Sequence, residues 1–163
     1  MKNIPYGHQT IDAADISGVV KTLRGDWLTQ GPQVQEFEKA VARACKVKYA
    51  VACANGTAAL HLACLAAGLK RGDEAITSPI TFAATANAVL YCGAKPVFAD
   101  IERDSLNIDP AEIEKKITRR TKAILPVHFA GQPCDMRQIA ALAKAAKLIV
   151  IEDAAHALGA SYR

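Results

Sequence analysis

The sequence has no block of lysine and arginine, no C-x-x-C pair and no glycine-rich nucleotide loop of either common type. Each absence removes a class of function. The 20 basic and 16 acidic residues leave a net charge of +4. That charge is spread along the chain without interleaved aromatics, so nucleic acid is not an expected partner. The five cysteines, Cys45, Cys53, Cys64, Cys92 and Cys134, are odd in number and fall mostly in apolar segments. Free, buried thiols in a reducing compartment suit that pattern better than disulfides or a zinc site, and no metal is expected. The opening M-K-N-I-P-Y-G-H-Q-T lacks the apolar centre of a signal peptide, and a cytoplasmic location follows as the expectation. Stretches 49–69 and 75–94 carry no charge, but Asn55-Gly56 and His61 interrupt the first and Ser78-Pro79 the second. Each is better divided into a buried strand and a buried helix than stretched across a bilayer, and no membrane is expected as a partner. Neither G-x-x-x-x-G-K-S/T nor G-x-G-x-x-G occurs, which weighs against nucleotide hydrolysis and dinucleotide binding.

With 51% hydrophobic residues in 163, the chain can bury a real core. Residues 1–46 read as a helical segment. Thr10 is placed to cap a helix whose apolar Ile16, Val19, Val20 and Leu23 share one face, with Gly25 as its stop. Pro32 suits the first position of a second helix, striped by Val34, Phe37, Val41 and Ala44 up to Cys45. Over 47–163 strands and helices alternate. Strands are expected at 49–53, 74–77, 96–99, 122–127 and 148–151, and helices at 58–67, 82–91, 110–118 and from the Asp135 cap to Ala146. Repeated β-α units of this kind imply an α/β fold, a mainly parallel sheet with helices on both faces.

Three turns carry chemistry. The run L-I-V-I at 148–151 reads as a fully buried strand that stops on Glu152-Asp153, at the sheet edge where open parallel sheets bind small molecules. Asp153 there can meet a ligand atom that bears a proton, and His156 is close enough to line the same crevice; taken alone, Asp153 could equally be a turn cap. A-N-G-T-A-A at 54–59 turns a strand into a helix whose first amides lack internal partners, so the helix start and the Thr57 hydroxyl could hold a phosphate, although many such turns bind nothing. Phe82 follows Ser78-Pro79-Ile80-Thr81 and could stack on a flat heteroaromatic ring, against the plainer reading of a core phenylalanine. Together, a phosphate turn, an aromatic and an acid at one sheet edge describe a pocket for pyridoxal 5'-phosphate, with Asp153 keeping the pyridine nitrogen protonated.

The segments W-L-T-Q-G-P-Q-V-Q-E-F-E, N-G-T-A-A-L-H-L-A, S-P-I-T-F-A-A-T-A-N-A-V-L-Y-C-G-A-K-P-V-F-A-D-I, V-H-F-A-G-Q-P-C-D-M and I-E-D-A-A-H-A-L-G-A-S-Y resemble the DegT/DnrJ/EryC1/StrS family of sugar aminotransferases over essentially the whole chain. Within that family they resemble in particular the transaminases that make UDP-4-amino-4,6-dideoxy-N-acetyl-β-L-altrosamine on the way to pseudaminic acid. The resemblance implies part of the large domain of a fold-type-I pyridoxal-phosphate-dependent transferase, usually a homodimer, acting on a UDP-sugar and an amino-acid donor, with glutamate expected. By motif, Thr57 and Ala58 would bind the cofactor phosphate, Phe82 would stack on the ring, and Asp153 would pair with its nitrogen. His156, where many relatives have glutamine, would approach the 3-hydroxyl, and Tyr6 and Trp27 fall in segments that line the sugar site. The family's cofactor-anchoring lysine lies after the G-A-S-Y segment, and the sequence given ends at Arg163. No lysine of this chain takes that role by motif, so inactivity of the chain by itself is expected. A sugar dehydratase of the same family, with histidine in place of the lysine, and a non-catalytic chain remain as alternatives.

Overall fold

The computed structural model describes residues 8–162, and the chain divides into two compact units, Met1–Ala52 and Cys53–Arg163.

In the first unit, Ala13–Leu23 (α1) and Pro32–Ala44 (α2) are helices in which no residue is buried. The cap of α1 is Asp12 rather than Thr10. The Asp12 carboxylate accepts the Ala14 and Asp15 amides while the Asp15 carboxylate accepts the Asp12 amide, and this reciprocal closure outcompetes a lone hydroxyl two residues earlier. Pro32 opens α2 as expected. The expected strand at 49–53 does not form. Its residues find no ladder partner among the described residues. The Ala52 amide instead donates to the Glu38 carboxylate at 2.8 Å, and without a neighbouring strand to pair with, nothing holds the segment in a sheet.

The second unit is a four-stranded, all-parallel sheet in the order β2-β1-β3-β4, comprising Glu74–Thr77 (β1), Lys95–Phe98 (β2), Thr121–Leu125 (β3) and Ile149–Val150 (β4). Four helices accompany it: Gly56–Ala66 (α3), Ala84–Tyr91 (α4), Pro110–Lys116 (α5) and Met136–Ala146 (α6). Alternation along the two central strands explains why both faces are covered. Ala75 of β1 and Ala123 and Leu125 of β3 pack with Cys64 of α3 and Ala88 and Val89 of α4. On the other face Ile76 and Ile124, paired in register, pack with Ile113 of α5 and Ile139 and Ala143 of α6.

Local chemistry sets the helix ends. Asp109 caps α5 through the Ala111 amide with Pro110 behind it, Asp135 caps α6 through the Gln138 amide, and α6 stops at Lys147 in the left-handed conformation (φ 56°). Two strand-end expectations need correction. The helix after the second turn starts at Ala84 rather than Phe82, which leaves Phe82 in the turn. The strand at 148–151 is not fully buried. It shortens to Ile149–Val150 and Ile149 is 39% exposed, because β4 has β3 on one side and no strand on the other among the described residues. The thiols are all free, but only Cys64 and Cys134 are buried, whereas Cys45 and Cys53 are exposed. Among the described residues, no helix is long and apolar enough to cross a membrane.

Candidate functional site

At the carboxyl end of the sheet, the loops that follow β1, β3 and β4 are tied to one another. The Thr77 hydroxyl donates to the Leu125 carbonyl at 2.8 Å. Beyond β4 the parallel pairing continues irregularly. Ile151 N–H donates to Ile124, Asp153 N–H to Pro126, and His128 N–H to Asp153, at 3.0, 2.9 and 3.2 Å. Asp153 is thus fixed through both of its backbone groups, at the strand end where the sequence places it.

Its side chain is 7% exposed. One carboxylate oxygen, Oδ2, accepts from the Thr85 hydroxyl at 2.6 Å, and Oδ1 accepts weakly from the Ala155 amide at 3.3 Å. The second contact is the turn-capping role that competes with a ligand role in the sequence, and its length leaves most of the capacity of Oδ1 unused. Among the described residues no lysine, arginine or histidine forms an ion pair with Asp153. A buried carboxylate without a cationic partner is costly, and a ligand that brings a protonated nitrogen removes that cost.

Phe82 joins the same cluster through its backbone. Its carbonyl accepts the Thr85 amide at 3.1 Å, and its ring is 79% exposed. It is therefore not the core phenylalanine of the plainer reading, and its face is free to stack on a flat ligand. His156 is exposed on the loop after Asp153, and its carbonyl lies against Gly131. A Cβ added at Gly131 would sit 3.0 Å from that oxygen, at φ +88°. Glycine is required there twice over, by the backbone conformation and by the close approach of the neighbouring loop.

Thr57 and Ala58 form the first turn of α3, half-buried. Asn55 caps that helix, and its Oδ1 takes the Ala58 amide at 2.9 Å. The Ala58 N–H is therefore already engaged, whereas the Thr57 hydroxyl and the amides of Gly56 and Thr57 make no hydrogen bond among the described residues. The helix packs against α4 through the shared core, without a hydrogen bond between Thr57 and the Asp153 cluster. Trp27 lies in the first unit, 66% exposed, and packs so closely on Gly31 that a Cβ there would approach its own Cβ to 2.7 Å. Tyr6 lies outside the described residues.

The structure adds residues that sequence reasoning left unassigned. Thr85 is one. His128 is another, buried, with Nδ1 accepting the Cys134 amide at 3.2 Å and Nε2 at 2.8 Å from Glu152 Oε2. A nitrogen that accepts an N–H carries no proton, so His128 is the Nε2–H tautomer and donates to Glu152. That bond holds the Glu152 carboxyl below the usual carboxylate range against the opposing effect of burial. Asn107, also buried, gathers the loop after β3. Its amide nitrogen donates to Gln132 and Pro133 at 3.0 and 3.2 Å, and its oxygen accepts the Phe129 amide at 2.9 Å. This loop backs His156 through Gly131.

Known proteins resemble this chain in sequence and in fold. The spore coat polysaccharide biosynthesis protein SpsC of Bacillus subtilis (strain 168) is 51% identical over 160 residues, which are 98% of this chain and 41% of that protein. The solved structure of Helicobacter pylori PseC, an aminotransferase involved in the biosynthesis of pseudoaminic acid, superposes with a TM-score of 0.91 at 36% identity, covering 99% of this chain and 44% of its own. NtdA of Bacillus subtilis, solved with bound cofactor PMP, superposes with a TM-score of 0.86 at 39% identity over 91% of this chain and 35% of its own. The chain thus spans about two fifths of the length of the curated relatives it matches. Its fold is shared with these solved structures, and with residues 9–163 matched by the DegT/DnrJ/EryC1/StrS aminotransferase family, the chain belongs to that family.

Proposed function

We propose that this chain forms the amino-terminal part of a cytoplasmic aminotransferase that binds pyridoxal phosphate and passes an amino group from glutamate to a UDP-linked 4-keto sugar. The observation that carries the reading is the buried Asp153 carboxylate, positioned at the strand end and lacking a cationic partner among the described residues. The donor set fits the cofactor. Asp153 suits a protonated pyridine nitrogen, the exposed Phe82 ring suits its face, and the Thr57 hydroxyl with the free amides at the start of α3 suits its phosphate. Ala58 contributes to the phosphate site only if its amide is shared with Asn55.

When bound, pyridoxal phosphate supplies an electron sink for the carbon that loses its proton during amino transfer. The residues of this chain do the holding. Asp153 keeps the ring nitrogen protonated, Phe82 fixes the ring plane, Thr57 anchors the phosphate end, and His156 approaches the ring hydroxyl. The proton shift itself needs a positioned base, which the family places on a lysine after the G-A-S-Y segment. The 163-residue chain by itself is therefore expected to give no steady turnover of glutamate with a UDP-linked 4-keto sugar, whereas the polypeptide that joins it to the lysine segment transfers the amino group. Mass spectrometry of the sugar product decides between them. Turnover by the 163-residue chain, or none by the lysine-bearing polypeptide, contradicts the proposal.

Tyr6 and Trp27 are proposed for the sugar side of the site, and the partner in assembly is a second copy of the chain. The exposed stripe of Ile16, Val19, Val20 and Leu23 on α1 supports the homodimer, since apolar surface left in water costs about 25 cal/mol per Å². Light scattering across a dilution series is expected to give a dimer mass that falls on dilution. A compact monomer at every concentration would be the contrary result.

A further inference from the structure

Thr85 sits fully buried in the first turn of α4, 68 residues from Asp153 in sequence, with its hydroxyl 2.6 Å from Asp153 Oδ2. A threonine inside a helix ordinarily spends its proton on a carbonyl three or four residues back. Here that carbonyl, Phe82, lies at 3.3 Å, so the carboxylate takes the proton. A hydroxyl has one proton to give. The 2.7 Å contact between the Thr81 and Thr85 hydroxyls must then run from Thr81 to Thr85, whose own proton is already given to Asp153; the Phe82 carbonyl, the competing acceptor for Thr81 among the described residues, is again at 3.3 Å. The result is a directed chain, Thr81 to Thr85 to Asp153, in which each donor polarises the next.

We infer that Thr85 is a positioning residue for Asp153, with Thr81 behind it; the inference rests on the cofactor reading of Asp153 given above. By engaging Oδ2, Thr85 leaves Oδ1, with its long contact to Ala155, as the oxygen that faces a protonated ring nitrogen. A lysine or histidine in the same place would also fix the carboxylate, but it would neutralise the charge that the ring nitrogen needs. A hydroxyl orients the carboxylate and leaves its charge in place. The threonine thus determines how strongly the site discriminates a ring that has a basic nitrogen from one that does not.

The test compares binding of pyridoxamine 5'-phosphate with its analogue in which C–H replaces the ring nitrogen. Neither needs a covalent lysine. Titration calorimetry on the wild-type chain is expected to favour the nitrogen-bearing compound. Thr85→Val, which keeps the branched shape, is expected to shrink that preference about tenfold, the scale of one hydrogen bond to a charged group. Thr85→Ser, which restores the hydroxyl, returns it to within about threefold of wild type. Thr81→Val gives a smaller loss in the same direction. Thermal melting accompanies each variant, and Thr85→Ala replaces Thr85→Val if the valine prevents folding. A wild-type chain that prefers the nitrogen while Thr85→Val or its alanine substitute keeps the same preference overturns the role of Thr85 alone. A wild-type chain that shows no preference overturns the cofactor reading of Asp153 and this inference with it.

Discussion

Asp153→Asn is expected to lower amino transfer on the order of 10²- to 10³-fold, the usual effect of removing one preorganised electrostatic contact from a reacting centre, while leaving the melting temperature unchanged or raised. The opposite directions follow from one fact. The Asp153 carboxylate is 7% exposed and its protein partners are a hydroxyl and an amide, so its charge is a burden on the folded chain. Asparagine keeps one oxygen, which can accept the Ala155 amide while its NH2 donates to the Thr85 hydroxyl; it removes the charge and cannot hold a proton on a ring nitrogen. Turnover is measured on the polypeptide that carries the lysine segment, and stability on the same sample by thermal melting. A variant that melts much earlier than wild type and still turns over at the wild-type rate would make Asp153 a structural residue and would remove the basis of the proposed function.

What the sequence could disclose about this site depended on how far apart the interacting residues are in the chain. The caps Asp109 and Asp135, the stop at Gly68 (φ +75°) and the helix opened by Pro32 depend on residues within one turn, and these were read correctly. Asp153 was legible for a similar reason, as an acid following an apolar run. The Asn55 cap that occupies the Ala58 amide is equally local, and the same A-N-G-T turn that suggested a phosphate site contained it. By contrast, the Thr85 bond to Asp153, the His128 pair with Glu152 and the Asn107 clamp on Gln132 join residues 68, 24 and 25 apart. No period or spacing in one sequence brings such residues together. The failed strand at 49–53 is the converse error. Its composition suits a strand, yet strand formation is settled by a neighbouring chain segment, and among the described residues none pairs with it.

The largest expected effect on stability lies beneath this site, at Ile124. Its side chain and that of Ile76 are fully buried on adjacent strands in register, facing Ile113 and Ile139 from the two helices of that layer. Ile124→Ala is expected to destabilise the second unit by about 2–5 kcal/mol, through lost burial and the cavity that a rigid sheet cannot close. Against a typical domain stability of about 5–15 kcal/mol, that is enough to populate the unfolded state at moderate urea. Ile124→Val, which removes a single methyl, is expected to cost about 0.5–1.5 kcal/mol. The double variant Ile76→Ala with Ile124→Ala should depart from the sum of its parts, because the two residues share one space and the cavities merge. Urea unfolding followed by far-ultraviolet circular dichroism measures all three. The strand that bears Ile124 ends at Leu125, whose carbonyl accepts the Thr77 hydroxyl, and the Ile124 carbonyl accepts the Ile151 amide two residues before Asp153. Loss of packing at Ile124 therefore loosens the backbone that holds the carboxylate, and affinity for pyridoxamine 5'-phosphate should fall along with stability. Asp153→Asn is expected to separate these two quantities. If Ile124→Ala also separated them, losing stability but binding as tightly as wild type, the sheet edge and the core would be mechanically independent and the support assigned to β3 would be wrong.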